Sequence, residues 1–212
     1  MAIYSNGILG EFSGKVGTVV GSSWKGIPVI RKIPVRKQTE YSDLQKQQWA
    51  RFRLMTGFLR PLTDLLNQTF KNSVTGMTCY NKAFSENIQA ITGDYPEISI
   101  DYPRIVLSKG RLPLGEPPTI SSPEDGKLLL SWKTGDGINW QLTSGAAFIA
   151  AYNEELGRWI IGQSIISESQ SSCMLDVSPF KGKSAQTYIG FISRGYKKVS
   201  ESRYMGLVNI LS

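Results

Sequence analysis

Histidine is absent from this chain of 212 residues, and cysteine occurs only twice, as Cys79 and Cys173. Imidazole is the usual general base and a common metal ligand near neutral pH, so nucleophilic sites that pair serine or cysteine with histidine are excluded. Structural zinc sites use four Cys or His ligands, which the chain does not have. We therefore predict no metal and no cofactor, and we interpret both thiols as buried or half-buried rather than joined in a disulfide framework.

Long apolar runs are also missing. No continuous stretch approaches the roughly 20 residues of a membrane-spanning helix. The first ten residues lack the basic region and the apolar stretch of a secretory signal. We therefore expect a cytoplasmic protein, with virion-like or non-classical delivery left open. A chain of this length, with 41% hydrophobic residues, should form one or two domains with a true core.

Carboxylates are scarce near the N-terminus. The chain holds 24 Lys and Arg against 17 Asp and Glu, a formal charge of +7, and residues 1–39 contribute +5 of it. A nucleic-acid surface combines cations that neutralise phosphates with aromatic rings that stack on bases. One candidate binding set in this stretch consists of Trp24, Lys25, Arg31, Lys32, Arg36 and Lys37.

Glycine is frequent in the same N-terminal stretch. Five glycines separate short runs of Val, Ile and Trp, which predicts tight β-hairpins or bulged strands. A phosphate-binding loop is excluded, because a Walker motif requires Ser or Thr after its lysine, whereas Lys15 precedes Val16. The glycines are Gly10, Gly14, Gly17, Gly21 and Gly26.

Residues 40–93 have the periodicity of helices. Ser42 and Gln45 form a capping-box pattern, which predicts a helix start. Apolar side chains then recur at three- and four-residue steps, and Pro61 predicts a break before a second helix. A third helix is predicted from about Thr78 to a left-handed stop at Gly93. The stripe of the first helix comprises Leu44, Gln48, Phe52, Met55 and Leu59.

A proline-rich stretch, residues 111–118, predicts a domain boundary near residue 115. Beyond it, six short apolar runs alternate with turn signals over roughly 100 residues, the size of a β-sandwich. We therefore predict an α+β module of β-hairpins and about three helices in residues 1–114. An all-β, immunoglobulin-like sandwich is predicted in residues 115–212.

Four short motifs in the C-terminal part are typical of one kind of β-sandwich. They are Pro117-Pro118-x-Ile120, Leu128-x-Leu130-x-Trp132, Leu175-x-Val177-x-Pro179 and Thr187-Tyr188-Ile189-x-Phe191-Ile192. With these motifs, the C-terminal part resembles a fibronectin type III domain. The resemblance implies that Trp132 fills the space between two sheets. It also implies that Tyr188 buries its ring while its hydroxyl bonds to backbone.

A longer signature runs through the N-terminal half. It reads GEFSGKVGTVVG over residues 10–21 and continues through Trp24-Lys25-Gly26, Val29-Ile30-Arg31 and Gln45-x-x-Gln48-x-x-Arg51-Phe52. This pattern resembles an uncharacterised protein family of Bacteroides-type bacteria, which has no established activity to carry over. A looser likeness joins the chain to small prophage-associated proteins through Gly14-Lys15-x-Gly17, Arg31, Pro34, Thr39, Gln45 and Arg51.

Two functional hypotheses follow. The first is a non-enzymatic structural or interaction protein that acts through a protein partner or through self-assembly. A prophage or virion-like assembly component is one form of this hypothesis. The second is a nucleic-acid-binding protein that uses the basic N-terminal segment. An enzyme is a distant third, because acidic pairs such as Glu154-Glu155 fall in predicted turns. The last predicted hairpin adds one exposed contact loop, comprising Tyr196, Lys197 and Lys198.

Overall fold

A computed structural model of the chain describes residues 3–4, 10–24, 26–35, 40–112, 118–132, 145–165, 172–193 and 198–211. It divides into two compact units, Met1–Tyr41 and Ser42–Ser212. In the described part of the chain, no helix has the length and apolar character needed to cross a membrane.

The first unit is a four-stranded antiparallel sheet in the order β1-β2-β3-β4. The hairpins predicted from the glycine pattern are present: β2 pairs antiparallel with β3, and β3 pairs antiparallel with β4. Gly17 and Gly26 adopt left-handed φ angles of 58° and 80° in these turns. The strands are β1 (Ile3–Tyr4), β2 (Phe12–Val16), β3 (Val19–Trp24) and β4 (Ile27–Lys32).

The second unit begins with a helical layer: α1 (Asp43–Leu59), α2 (Thr63–Thr69) and α3 (Cys79–Asn87). The predicted capping box is confirmed, because the Gln45 amide donates to Ser42 Oγ and the Ser42 amide donates to Gln45 Oε1. Pro61 lies in a short 3-10 turn between α1 and α2, so the predicted break between these helices is present. The predicted helix stop at Gly93 is wrong: its φ of 81° is left-handed, but it follows strand β5 (Ile91–Thr92), which pairs with β6 (Ser99–Ile100).

Seven antiparallel strands follow in two sheets, β10-β9-β12-β13 and β11-β8-β7. Trp132 lies between these sheets, only 6% exposed and 6.3 Å from Phe191, so the implied position of this ring is confirmed. This part of the chain is a fibronectin III-like sandwich. The strands are β7 (Thr119–Ser121), β8 (Lys127–Ser131), β9 (Ala146–Asn153), β10 (Arg158–Ile165), β11 (Ser172–Asp176), β12 (Ser184–Ile192) and β13 (Arg203–Asn209).

The helical layer covers the outer face of the larger sheet. Tyr188 is fully buried on that face, in one core with Leu66 and Phe148, whereas Ile189 belongs to the core between the sheets. The Tyr188 hydroxyl donates to the Tyr102 carbonyl at 3.0 Å, so the implied backbone bond is present. β9 and β12 are buried on both faces, which explains the nearly continuous apolar sequence of β9.

Polar contacts join the same layers. The Trp159 indole Nε1 donates to the Phe58 carbonyl of α1 at 2.9 Å, and the two rings meet edge-on at 4.9 Å. The Asn87 side chain is fully buried and bonds both the amide and the carbonyl of Val106. The helices are therefore fixed to the sandwich by apolar packing and by directed hydrogen bonds.

This arrangement changes the expected division of the chain. The predicted α+β module of residues 1–114 is not confirmed, because its hairpin strands β1–β4 form one compact unit and its helices belong to the other. The reason is that the helices share an apolar core with β9 and β12. Residues 113–117, where the boundary was predicted, lie outside the described residues, so the boundary itself stays a prediction.

Candidate functional site

The N-terminal sheet presents two different faces. Side chains alternate between faces along each strand, and directly paired residues share a face. The pairs Lys15 with Val20, Val20 with Arg31, and Trp24 with Ile27 fix the register. We call the surface that they share the Trp24 face, which comprises Ser13, Lys15, Val20, Ser22, Trp24, Ile27, Val29 and Arg31.

The opposite surface is partly covered from within the sheet. Phe12 lies across Gly21, where an added Cβ would meet the Phe12 carbonyl at 2.1 Å and its ring at 2.7 Å. Only glycine permits this close approach. Gly21 is accordingly the one buried residue of this unit in the described ranges 10–24 and 26–35.

Three apolar side chains of the Trp24 face are exposed to solvent. Trp24 is 64% exposed, Ile27 57% and Val29 37%. Lys15 and Arg31 lie at the other end of this face, in the row of Val20. Four residues of strand, about 13 Å, separate that row from the row of Trp24 and Ile27. The face therefore has an apolar end and a cationic end.

The structure divides the predicted nucleic-acid set. Trp24 and Arg31 share the Trp24 face, but Lys32 pairs with Val19 and lies on the opposite face. Three members of this set lie outside the described part of the chain: Lys25, Arg36 and Lys37. The same is true of Tyr196 and Lys197 in the predicted contact loop. The described cations of this sheet are thus spread over both faces rather than forming one basic stripe.

Lys198 lies in the second unit, next to β12. Its amide donates to Ser193 Oγ at 2.8 Å, and its side chain is exposed. It borders a cleft that also contains Lys82, Lys109 and Arg111. No sequence pattern indicates this grouping, because its members come from three separate segments of the chain.

The acidic pair considered from the sequence, Glu154 and Glu155, does not line this cleft. Glu155 lies in the turn between β9 and β10 and forms an ion pair with Lys183. Glu154, in the same turn, interacts with Tyr102, and burial together with this carboxylate raises the pKa of the Tyr102 hydroxyl. Both cysteines are half-buried free thiols, and burial raises the pKa of Cys173.

Two solved structures are similar to about half of this chain. A structure described as "Myokine structure" is 14% identical, with a TM-score of 0.36, and covers 49% of this chain and 100% of its own. The fn3 domain of human collagen alpha-1(XX) chain is 16% identical, with a TM-score of 0.32, covering 50% of this chain and 89% of its own. At these TM-scores the strand order above, and not the likeness, supports the sandwich assignment.

No curated protein matches this chain. A family model matches residues 11–206, from the residue before β2 into β13. The match includes the glycine-rich hairpins, the helices and the sandwich. The chain therefore belongs to DUF6266, a family of unknown function.

Proposed function

We propose that this chain is a non-enzymatic structural protein that self-associates through the Trp24 face of its N-terminal sheet. The observation that carries the proposal is the group of exposed Trp24, Ile27 and Val29 on one sheet face. Single exposed apolar residues are ordinary, but an adjoining group of them is typical of an interaction surface.

The packing that a small sheet requires supports self-association through this face. A sheet is stable when at least one face packs against another layer, and sheets of few short strands bury little surface alone. In the first unit, the side chains of β4 are exposed on both faces. A second sheet stacked on the Trp24 face would bury the exposed surface of Trp24, Ile27 and Val29.

Charge favours a particular arrangement of two copies. A twofold axis perpendicular to the strands would place the cationic end of one Trp24 face over the apolar end of the other. Arg31 of one copy would then approach Trp24 and Ile27 of its partner, where an arginine gains from contact with an aromatic ring. The same axis keeps the Lys15 and Arg31 pairs of the two copies apart.

The edge of the sheet is less suited to association than its face. β4 is an edge strand, and it contains Pro28, which has no amide hydrogen to donate to an added strand. Arg31 and Lys32 end the same strand with two charges, a common protection of edges against pairing. Face-to-face stacking is therefore the proposed mode.

The proposed setting is an assembly of a Bacteroides-type bacterium or its prophage, in the cytoplasm or in a virion-like particle. Self-association suits a component of this kind. The nucleic-acid alternative has less support, because Arg31 and Lys32 lie on opposite faces of the sheet. Measuring self-association and DNA binding of the purified chain separates the two hypotheses.

Replacing Ile27 with serine should weaken self-association at least tenfold, whereas Ile30→Ser should leave it unchanged. Both isoleucines lie on β4 and are similarly exposed, 57% and 65%, but only Ile27 is on the Trp24 face. Burying an isoleucine contributes about 2 kcal/mol, and in a twofold interface each substitution acts twice. Sedimentation equilibrium of the two variants measures the difference.

Trp24→Ser should act in the same direction as Ile27→Ser and more strongly, because an indole buries more surface. Equal loss of association in the Ile30→Ser variant, or wild-type association in the Ile27→Ser and Trp24→Ser variants, would contradict the proposal. Circular dichroism of each variant establishes that the fold is retained.

A further inference from the structure

The second unit contains a cleft of about 710 Å³ that is lined by four cations. This volume is within the range of about 300–1,000 Å³ that small-molecule sites occupy. Buried Leu112 and Val199 line it alongside the charges. We call it the basic cleft and define its charged residues as Lys82, Lys109, Arg111 and Lys198.

Backbone contacts fix the wall that carries Lys109 and Arg111. Gly110 lies so close to Val199 that an added Cβ would be 2.1 Å from the Val199 carbonyl oxygen. The Leu112 amide donates to the same oxygen at 3.0 Å. Ser73 Oγ donates to the Lys109 carbonyl at 2.8 Å and joins this wall to the segment that follows α2. The cations are thus held on well-supported backbone.

The charges of the cleft are only partly neutralised. Glu86 accepts ion pairs from Lys82 and Lys109, each at 2.7 Å. Hydrogen bonds from Lys109 and then Lys82 hold the pKa of Glu86 below its usual value. In the described part of the chain, Arg111 and Lys198 form no ion pair. Among the described residues, these four cations and the single carboxylate of Glu86 give an excess of three positive charges.

From this geometry we infer that the basic cleft binds a small phosphorylated molecule carrying at least two negative charges. A guanidinium matches the oxygens of a phosphate in a two-pronged contact, and ammonium groups add point charges. An excess of three charges favours a multiply charged anion over a single carboxylate. The concave shape favours a small ligand, because a nucleic-acid duplex requires a longer basic surface.

Inorganic pyrophosphate is the probe for this inference, with acetate as the singly charged comparison. Isothermal titration of the full chain should show pyrophosphate binding and at least tenfold weaker acetate binding. The Arg111→Gln/Lys198→Gln double variant should lose at least tenfold in pyrophosphate affinity, since hydrogen bonds to charged groups are each worth about that factor. Both side chains are exposed, so the fold should be unaffected.

The matched control is Arg158→Gln/Lys181→Gln, which removes the same two charges from exposed positions outside the cleft. This control should keep wild-type affinity. Three results would overturn the inference: no pyrophosphate binding at millimolar concentration, equal loss in the control, or binding of duplex DNA at the cleft without binding of pyrophosphate. None of these results bears on self-association through the Trp24 face, which the cleft variants leave intact.

Discussion

Replacing Leu66 with alanine is expected to destabilise the sandwich together with the helices, by about 3 kcal/mol. Leu66 lies in α2, is fully buried, and shares a core with Phe148 of β9 and Tyr188 of β12. The substitution removes apolar contacts and leaves a cavity between the two layers. Because the layers share this core, the loss should reach the strands as well as the helix.

Urea unfolding followed by circular dichroism, with hydrogen exchange of peptides from β12, measures this effect. One transition should describe both signals, and its midpoint should fall in the Leu66→Ala variant. Leu207→Ala is the control, since Leu207 is 59% exposed on β13 and should change stability by less than about 0.5 kcal/mol. Protection of β12 that survives after the helices have unfolded would instead support independent domains with a boundary near residue 115.

Substituting Asn87 with leucine should also cost about 3 kcal/mol, although it adds apolar surface to a buried site. The amide of this side chain donates to the Ala83 and Val106 carbonyls, each at 2.8 Å, and its oxygen accepts from the Val106 amide at 2.7 Å. Leucine has a similar size and none of these groups. The part-buried backbone of Val106 would therefore lose two hydrogen bonds.

Thermal unfolding of the Asn87→Leu variant checks this prediction, with Asn81→Leu as its control. Asn81 lies on the exposed side of the same helix. Its backbone amide, not its side chain, donates the capping hydrogen bond to Thr78 Oγ1. Asn81→Leu should thus leave the melting temperature nearly unchanged. Similar melting temperatures for the two variants would show that the Val106 contacts do not stabilise the packing of α3 against the segment that precedes β7.

Local features of the fold could be predicted from the sequence. Ser42 and Gln45 marked the start of α1, and glycine spacing marked the hairpins, because capping and turn geometry depend on a few adjacent residues. Trp132 was placed correctly by resemblance. Gly93 was misassigned because a left-handed glycine can end a strand as well as a helix.

The packing of the helices on the sandwich was not predicted. A signal for it was present in β9, where Ala146 to Tyr152 form an unbroken apolar run typical of a strand buried on both faces. The opposite placement of Arg31 and Lys32 also follows from strand alternation. The basic cleft has no such signal, because only the tertiary fold brings Lys82, Arg111 and Lys198 together.

The response of self-association to salt tests the proposed function most directly. Light scattering on the purified chain, at about 50 and about 500 mM sodium chloride, should show a dimer that tightens about threefold at the higher concentration, because salt screens repulsion between two positively charged copies. Labelled DNA in the same buffers should remain unbound. A monomer at both salt concentrations, or DNA binding that weakens steeply with salt, would contradict the account.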